Sequence, residues 1–182
     1  LRGLEHRWQT EKASLEGEGE LRRALDQLRV EADRHTREGN LEAASKILYG
    51  STRSGLPIPE YLGELKKVGL GTLPGTSAEV LDQEIRDVIA RGRITVKQWI
   101  EVITSAHAQG IRTTSTIMYG HVERPEHWVR HMDLLRGIQK ETGGFTEFVP
   151  LSLIHQEAPM YRRGLVPGVR QGATGLEVIR MH

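Results

Sequence analysis

Three short runs of β-branched and apolar residues, set apart by helix-length stretches, constrain this chain more than any other feature. They are Gly69-Leu70-Gly71-Thr72-Leu73, Arg112-Thr113-Thr114-Ser115-Thr116-Ile117-Met118 and Phe145-Thr146-Glu147-Phe148-Val149-Pro150-Leu151. Each is too short for a stable helix and suits a buried strand. The stretches around them carry helix signals. Pro59 suits the first turn of a helix to Val68, with Leu62, Leu65 and Val68 on one face. A second helix is expected from Ala78 to Ile89, capped by Thr76 or Ser77. Thr95 caps a third, Val96 to Gln109, closed by Gly110. Pro125 opens a fourth that runs to Glu141 and stops at Gly143-Gly144. Ser152 to Gly175 is loop-rich, and a last helix starts near Thr174. This alternation predicts parallel βαβ units and an α/β fold. Three strands cannot close an eight-stranded barrel, which takes about 250 residues. The segment is therefore a piece of a barrel or a small open sheet.

The first 50 residues differ in kind. They hold no Pro, and Leu21, Leu25, Leu28 and Ala32 follow a heptad spacing. Leu1, Leu4, Trp8 and Leu15 keep the same rhythm, which Gly17 and Gly19 interrupt. Gly39 can end one helix and Asn40 cap the next. A helical coiled-coil arm is expected over 1–50, a junction over 51–56 in the polar stretch Ser51-Thr52-Arg53-Ser54-Gly55-Leu56, and an α/β segment over 57–182.

Net charge is +1, too balanced to suggest a nucleic acid or a membrane surface as partner. No run of about 18 apolar residues is present to span a bilayer. The opening Leu1-Arg2-Gly3-Leu4 is no signal peptide, and a start on Leu suggests a fragment or a processed product. The expected compartment is the cytoplasm. The chain has 0 cysteines, which excludes disulfides and thiolate-ligated metals.

In parallel α/β folds, ligands sit at the C-terminal strand ends. Three clusters fall there: Pro74-Gly75-Thr76 with Glu79; Met118-Tyr119-Gly120-His121 with Glu123; and Pro150-Leu151 followed by His155, Gln156 and Glu157. Gly75 and Gly120 permit close approach of backbone to a ligand. Thr76, Tyr119, His121 and Gln156 can hydrogen-bond a polar heterocycle or an amino acid. Plainer roles stand beside these: a tight turn for Gly75, a helix N-terminus for Glu79, a satisfied loop histidine for His121. Trp99 and Trp128 read as packing residues. His127 and His131 lie four apart on one helix but lack a carboxylate at a convincing position, so no metal site is expected.

The words Gly69-Leu70-Gly71-Thr72-Leu73-Pro74-Gly75-Thr76-Ser77-Ala78-Glu79-Val80-Leu81-Asp82, Thr113 to Glu123, Gly143 to Leu151 and His155-Gln156-Glu157-Ala158-Pro159-Met160-Tyr161 resemble, in order and spacing, the second subunit of FO synthase, a radical-SAM family. The resemblance runs from about Gly55 to His182. It implies a partial (β/α) radical-SAM barrel and a 4Fe-4S cluster with S-adenosylmethionine. A deoxyadenosyl radical would act on L-tyrosine, whose 4-hydroxybenzyl group joins 5-amino-6-(D-ribitylamino)uracil on the way to a deazaflavin coenzyme. The other FO synthase subunit is an implied partner. Thr76, Glu79, Tyr119, His121 and His155 are the implied substrate contacts, and no residue is assigned to catalysis. The aminofutalosine enzymes of the menaquinone route are similar, but tend to carry a Gly-rich string where this chain has Pro74-Gly75-Thr76.

Residues 1–50 resemble instead the middle coiled-coil domain of the disaggregase ClpB, most specifically at Leu41-Glu42-Ala43-Ala44-Ser45-Lys46-Ile47-Leu48-Tyr49-Gly50. That resemblance implies a regulatory arm. No Gly-x-x-x-x-Gly-Lys-Ser/Thr word supports an ATPase. A non-native joining of two genes, with no function as a unit, is the third possibility. The family's Cys-x-x-x-Cys-x-x-Cys is missing, so the chain by itself should form no cluster and cleave no S-adenosylmethionine. Anaerobic reconstitution with iron and sulfide followed by absorption spectroscopy tests this; a 4Fe-4S band in the 182-residue chain would refute it.

Overall fold

The computed structural model describes residues 43–75 and 78–182. Most of the expected coiled-coil arm and the candidate Thr76 lie outside the described residues. The described elements are α1 (Ala43–Ser54), α2 (Ile58–Lys67), β1 (Thr72–Leu73), α3 (Gln83–Ile89), α4 (Val96–Ala108), β2 (Arg112–Tyr119), α5 (Pro125–Thr142), β3 (Phe145–Ser152), α6 (Pro159–Arg162) and α7 (Gly175–Met181). The strands form one 3-stranded sheet in the order β1-β2-β3, parallel throughout. Tyr119 pairs with Ser152, so β2 and β3 end together, while β1 ends at Leu73, level with Thr113 near the start of β2. The α/β alternation expected from the sequence is present.

The main core lies between the helices and the sheet. Trp99, Val102, Ile103 and Ala106 form the buried face of α4. They meet Ile58, Tyr61, Leu62 and Leu65 of α2, Leu135 and Ile138 of α5, and Leu73 of β1. Trp99 is fully buried, as its packing role requires. Each large apolar side chain removed from water here contributes about 1.5–3 kcal/mol. Thr95 accepts the Gln98 N–H at 3.2 Å, while the Gln98 side chain accepts the Thr95 N–H at 2.9 Å, a reciprocal cap that fixes where α4 begins.

Three local expectations shift. The helix expected from Ala78 starts only at Gln83, with Asp82 as its cap. Ala78, Val80 and Leu81 are instead buried in a non-helical strap. The Met118 N–H donates to the Glu79 carbonyl at 2.7 Å and the Leu81 N–H to His131 Nδ1 at 2.9 Å, bonds that a helix over these residues would forfeit. Glu79 therefore sits in the strap, not at a helix N-terminus. The first strand shortens to Thr72–Leu73 because the Gly69 and Leu70 N–H groups donate back to Lys66 and Leu65 and close α2. Helix α1 runs through Ser51 to Ser54, into the stretch expected as a junction. Ala44, Ile47 and Ser51 are its buried residues, and Ser51 Oγ donates to the Leu56 carbonyl at 2.6 Å. The turn is confined to Gly55–Pro57, and α1 shares the core of the α/β segment.

Two glycines are required by contact between chain segments. A Cβ on Gly75 would lie 1.5 Å from the Thr114 carbonyl oxygen. A Cβ on Gly120, whose φ is +91°, would lie 2.4 Å from the Ala173 nitrogen. The close approach expected for a ligand is thus made by the protein's own backbone. Gly75→Ala should destabilise the fold by about 2 kcal/mol or more, since backbone must move to admit the methyl. Gly137, inside α5 with nothing within 4 Å of its Cβ position, should behave oppositely. Gly137→Ala should stabilise by about 1 kcal/mol. Urea denaturation of the two variants checks both signs.

Candidate functional site

The site is built outward from the end of β2. Tyr119 closes that strand, 1% exposed, with its ring edge-on to Trp128 of α5 at 6.1 Å. The chain then turns at Gly120 and enters His121-Val122-Glu123. Glu123 is 3% exposed. Its Oε1 accepts the Gly120 N–H at 2.5 Å, the Trp128 indole N–H at 3.2 Å and Arg170 Nη2 at 3.1 Å. Its Oε2 accepts the His121 N–H at 2.8 Å. Burial alone pushes this carboxyl up. The His121 side chain and the two backbone N–H groups outweigh it and bring the pKa to about 2.

His121 is fully buried. Its Nε2–H donates to the Met118 carbonyl at 2.9 Å, since a carbonyl can only accept. Nδ1 faces Glu123 Oε2 at 3.0 Å, the contact through which the imidazole lowers the Glu123 pKa, and the Val122 nitrogen lies 2.8 Å away. Both ring nitrogens are thus engaged within the loop. Arg170 completes the cluster. Its N–H and Nε donate to the His121 carbonyl at 3.0 and 3.2 Å, and Nη1 donates to Glu177 of α7 at 2.6 Å. The stretch ahead of α7 is thereby clamped across the end of β2, where it meets Gly120.

Glu79 is equally engaged. Its carboxylate pairs with Arg86 at 3.0 Å and Arg93 at 3.1 Å. Arg86 is 1% exposed and also donates to the Ala78 and Ile94 carbonyls at 2.8 and 2.7 Å. Glu79 holds φ +36°, a left-handed conformation unusual for a side-chain-bearing residue. His155, after β3, is half-buried, and its ring meets Tyr161 edge-on at 5.0 Å. The Tyr161 hydroxyl accepts Gln171 Nε2 at 2.8 Å. Gln156 and Glu157 are exposed.

Tyr119 and His121 thus come together at one strand end, Glu79 lies on the neighbouring strap, and His155 sits at the end of β3. Arg170 and Glu177 had no signal in the sequence, because Arg170 meets Glu123 across 47 residues. Glu123 was visible only as the last letter of the strand-end word. Trp128 packs on Tyr119 as expected and also donates a hydrogen bond.

The Radical SAM superfamily model matches residues 11–135. The chain belongs to the radical SAM superfamily. It is 50% identical over 142 residues to the FO synthase of Nocardia farcinica, covering 75% of this chain and 16% of that protein. It is 49% identical over 137 residues to the 5-amino-6-(D-ribitylamino)uracil–L-tyrosine 4-hydroxyphenyl transferase of Methanothermobacter thermautotrophicus, covering 75% of this chain and 36% of that protein. It is 53% identical over 119 residues to the FO synthase of Mycobacterium tuberculosis, covering 65% of this chain and 14% of that protein. This radical SAM chain therefore spans between 14% and 36% of these relatives' lengths. The superfamily implies S-adenosylmethionine and a 4Fe-4S cluster. With 0 cysteines, the donor set of these 182 residues does not fit a cluster. No helix among the described residues is long and apolar enough to cross a membrane.

The buried titratable groups make acid destabilising. Burial holds the His131 imidazole down at about 3, with nearby Arg86 acting the same way and the Thr116 backbone opposing. Burial and then Arg112 also lower His107, which bridges Thr142 and Thr113 at 2.7 and 2.9 Å. Both pKa values are depressed on folding, so the unfolded chain takes up the proton first and stability falls as pH drops below about 6.5. Between pH 7 and pH 5 His131 alone should remove about 2 kcal/mol. Glu123, also depressed, adds a loss below about pH 4.5. Urea midpoints across pH 7 to 4 should fall steadily. His131→Asn should flatten the upper part of that curve.

Proposed function

We propose that this chain is a segment of a 5-amino-6-(D-ribitylamino)uracil–L-tyrosine 4-hydroxyphenyl transferase, the second subunit of FO synthase. The observation that carries the proposal is the identity of about half the residues with two groups of relatives bearing those names. The parallel sheet, with helices between its strands, supports a partial radical-SAM barrel. In the intact enzyme a bound cluster and S-adenosylmethionine would supply the radical. L-tyrosine and ribitylaminouracil would be the substrates, the other FO synthase subunit a partner, and the cytoplasm the location.

The five candidate residues divide by their surroundings. Tyr119, His121 and Glu79 already have protein partners, which supports a positioning role: they fix the backbone over which substrate lies. His155 keeps part of its ring exposed, which supports direct contact with a polar substrate. Thr76 is proposed as a contact on the strand-end word alone. The division into a helical arm at 1–50, a junction at 51–56 and a barrel segment at 57–182 is part of the same proposal as a division of sequence origin, since α1 runs on as helix to Ser54 and packs in the same core as α2 and α4. It rests on the heptad spacing of Leu21, Leu25, Leu28 and Ala32 and on the ClpB-like words. Long reads of the source DNA across the codons for 40–65 test whether the two segments are joined in the gene: in-frame reads through the junction make the fusion real, and their absence overturns it.

A chimera tests the transferase proposal. Residues 57–182 replace the corresponding segment of the Methanothermobacter relative, and transfer of the tyrosine-derived group is measured. Activity within about tenfold of the parent is expected, with His155→Gln raising KM more than it lowers kcat. A folded chimera that carries its cluster, cleaves S-adenosylmethionine and yet transfers nothing would overturn the assignment.

A further inference from the structure

Away from the strand-end clamp, the buried histidines His127 and His131 each leave Nε2 without a hydrogen-bond partner, and His127 stands beside two carboxylates. His127, at the start of α5, is 3% exposed. Its Nδ1 accepts the Arg124 N–H at 2.9 Å, while its Nε2 is buried without a hydrogen-bond partner. Such an orphaned ring nitrogen is costly unless something occupies it. Its neighbours are two carboxylates at the start of α3. Asp82, Glu84 and His127 each offer a ligand atom, and these atoms all lie within 4.8 Å of one another.

We propose that Asp82, Glu84 and His127 form a binding site for one divalent transition-metal ion of the Zn2+ type. One imidazole nitrogen and two carboxylate oxygens are a donor set that suits Zn2+, with water completing a tetrahedron. The His127 ligand is Nε2, since the Nδ1 lone pair is already used. Asp82 Oδ1 caps α3 by accepting the Glu84 N–H at 3.1 Å. Asp82 Oδ2 faces Arg130 Nη1 at 2.9 Å. Arg130 is 60% exposed on its side chain, so a guanidinium now stands beside the site as a displaceable cation. A metal ion takes its place and Arg130 swings into solvent. The ion joins the start of α3 to the start of α5, and so cross-links the loops that follow β1 and β2. Its role is to fix those loops, and it stands independently of the transferase assignment. The sequence hid this site because its carboxylates precede the histidine by more than 40 residues, instead of sharing its helix.

The test is calorimetric titration of ZnCl2 into the tag-free, chelator-treated 182-residue chain, with thermal unfolding recorded alongside. One Zn2+ per chain and a rise in Tm are expected. Glu84→Gln should weaken binding at least tenfold, and Arg130→Ala should tighten it several-fold by removing the competing cation. Both side chains are exposed, so neither change threatens the fold. His127→Gln should abolish the site but touches a buried position, so the two surface variants carry the decision. Absence of Zn2+ binding overturns the proposal. So does binding whose affinity is the same in Glu84→Gln and Arg130→Ala, which would place the ion on other histidines.

Discussion

A buried carboxylate, that of Glu123, organises the strand-end face of this molecule. It gathers the Gly120 and His121 N–H groups, the Trp128 indole and the Arg170 guanidinium. An ionised group so deeply buried persists only because each donor around it compensates part of the lost hydration. The consequence reaches well beyond the loop. Trp128 ties the cluster to α5, and Arg170 ties it to Glu177 of α7. Three segments distant in sequence are held at one place by one charge.

Close backbone packing is the second constraint, and it accompanies the first. Gly120 lets the stretch before α7 lie directly on the turn after β2, and Gly75 lets the turn after β1 lie on β2 itself. The strap from Ala78 to Leu81 fills the remaining space, fixed by Met118 and His131. Buried Arg86 then locks the strap through Glu79, Ala78 and Ile94. The polar residues near the end of β2 thus spend their hydrogen bonds on the scaffold.

Membership of the radical SAM superfamily and the absence of cysteine fit together once the extent of the chain is considered. The relatives named FO synthase are several times longer than the matched region. In a barrel the strand-end loops of successive units share one site, so cluster ligands and substrate contacts need not come from the same stretch of chain. Within the described residues, β3 is paired on one side only. Its outer backbone groups are those a further strand would meet.

The amino-acid sequence by itself determined the α/β alternation, the cap of α4 at Thr95, the start of α5 at Pro125 and the relatedness to a radical SAM family. These follow from local signals: side-chain period, capping residues, turn residues and contiguous words. It also determined that no thiolate is available, a matter of composition alone. Tertiary structure decided the rest. Asp82 displaced Thr76 and Ser77 as the cap of α3 because burial of Ala78, Val80 and Leu81 outweighed helix propensity in that stretch. Ser51 to Ser54 stayed helical because Ser51 found a partner in Leu56 and α1 a face in the core. His121 and Glu79 turned inward, and Arg170 and Glu177 entered the cluster, through contacts spanning 7 to 49 residues. A linear pattern carries no record of such pairings, since they exist only when the chain returns to the same place.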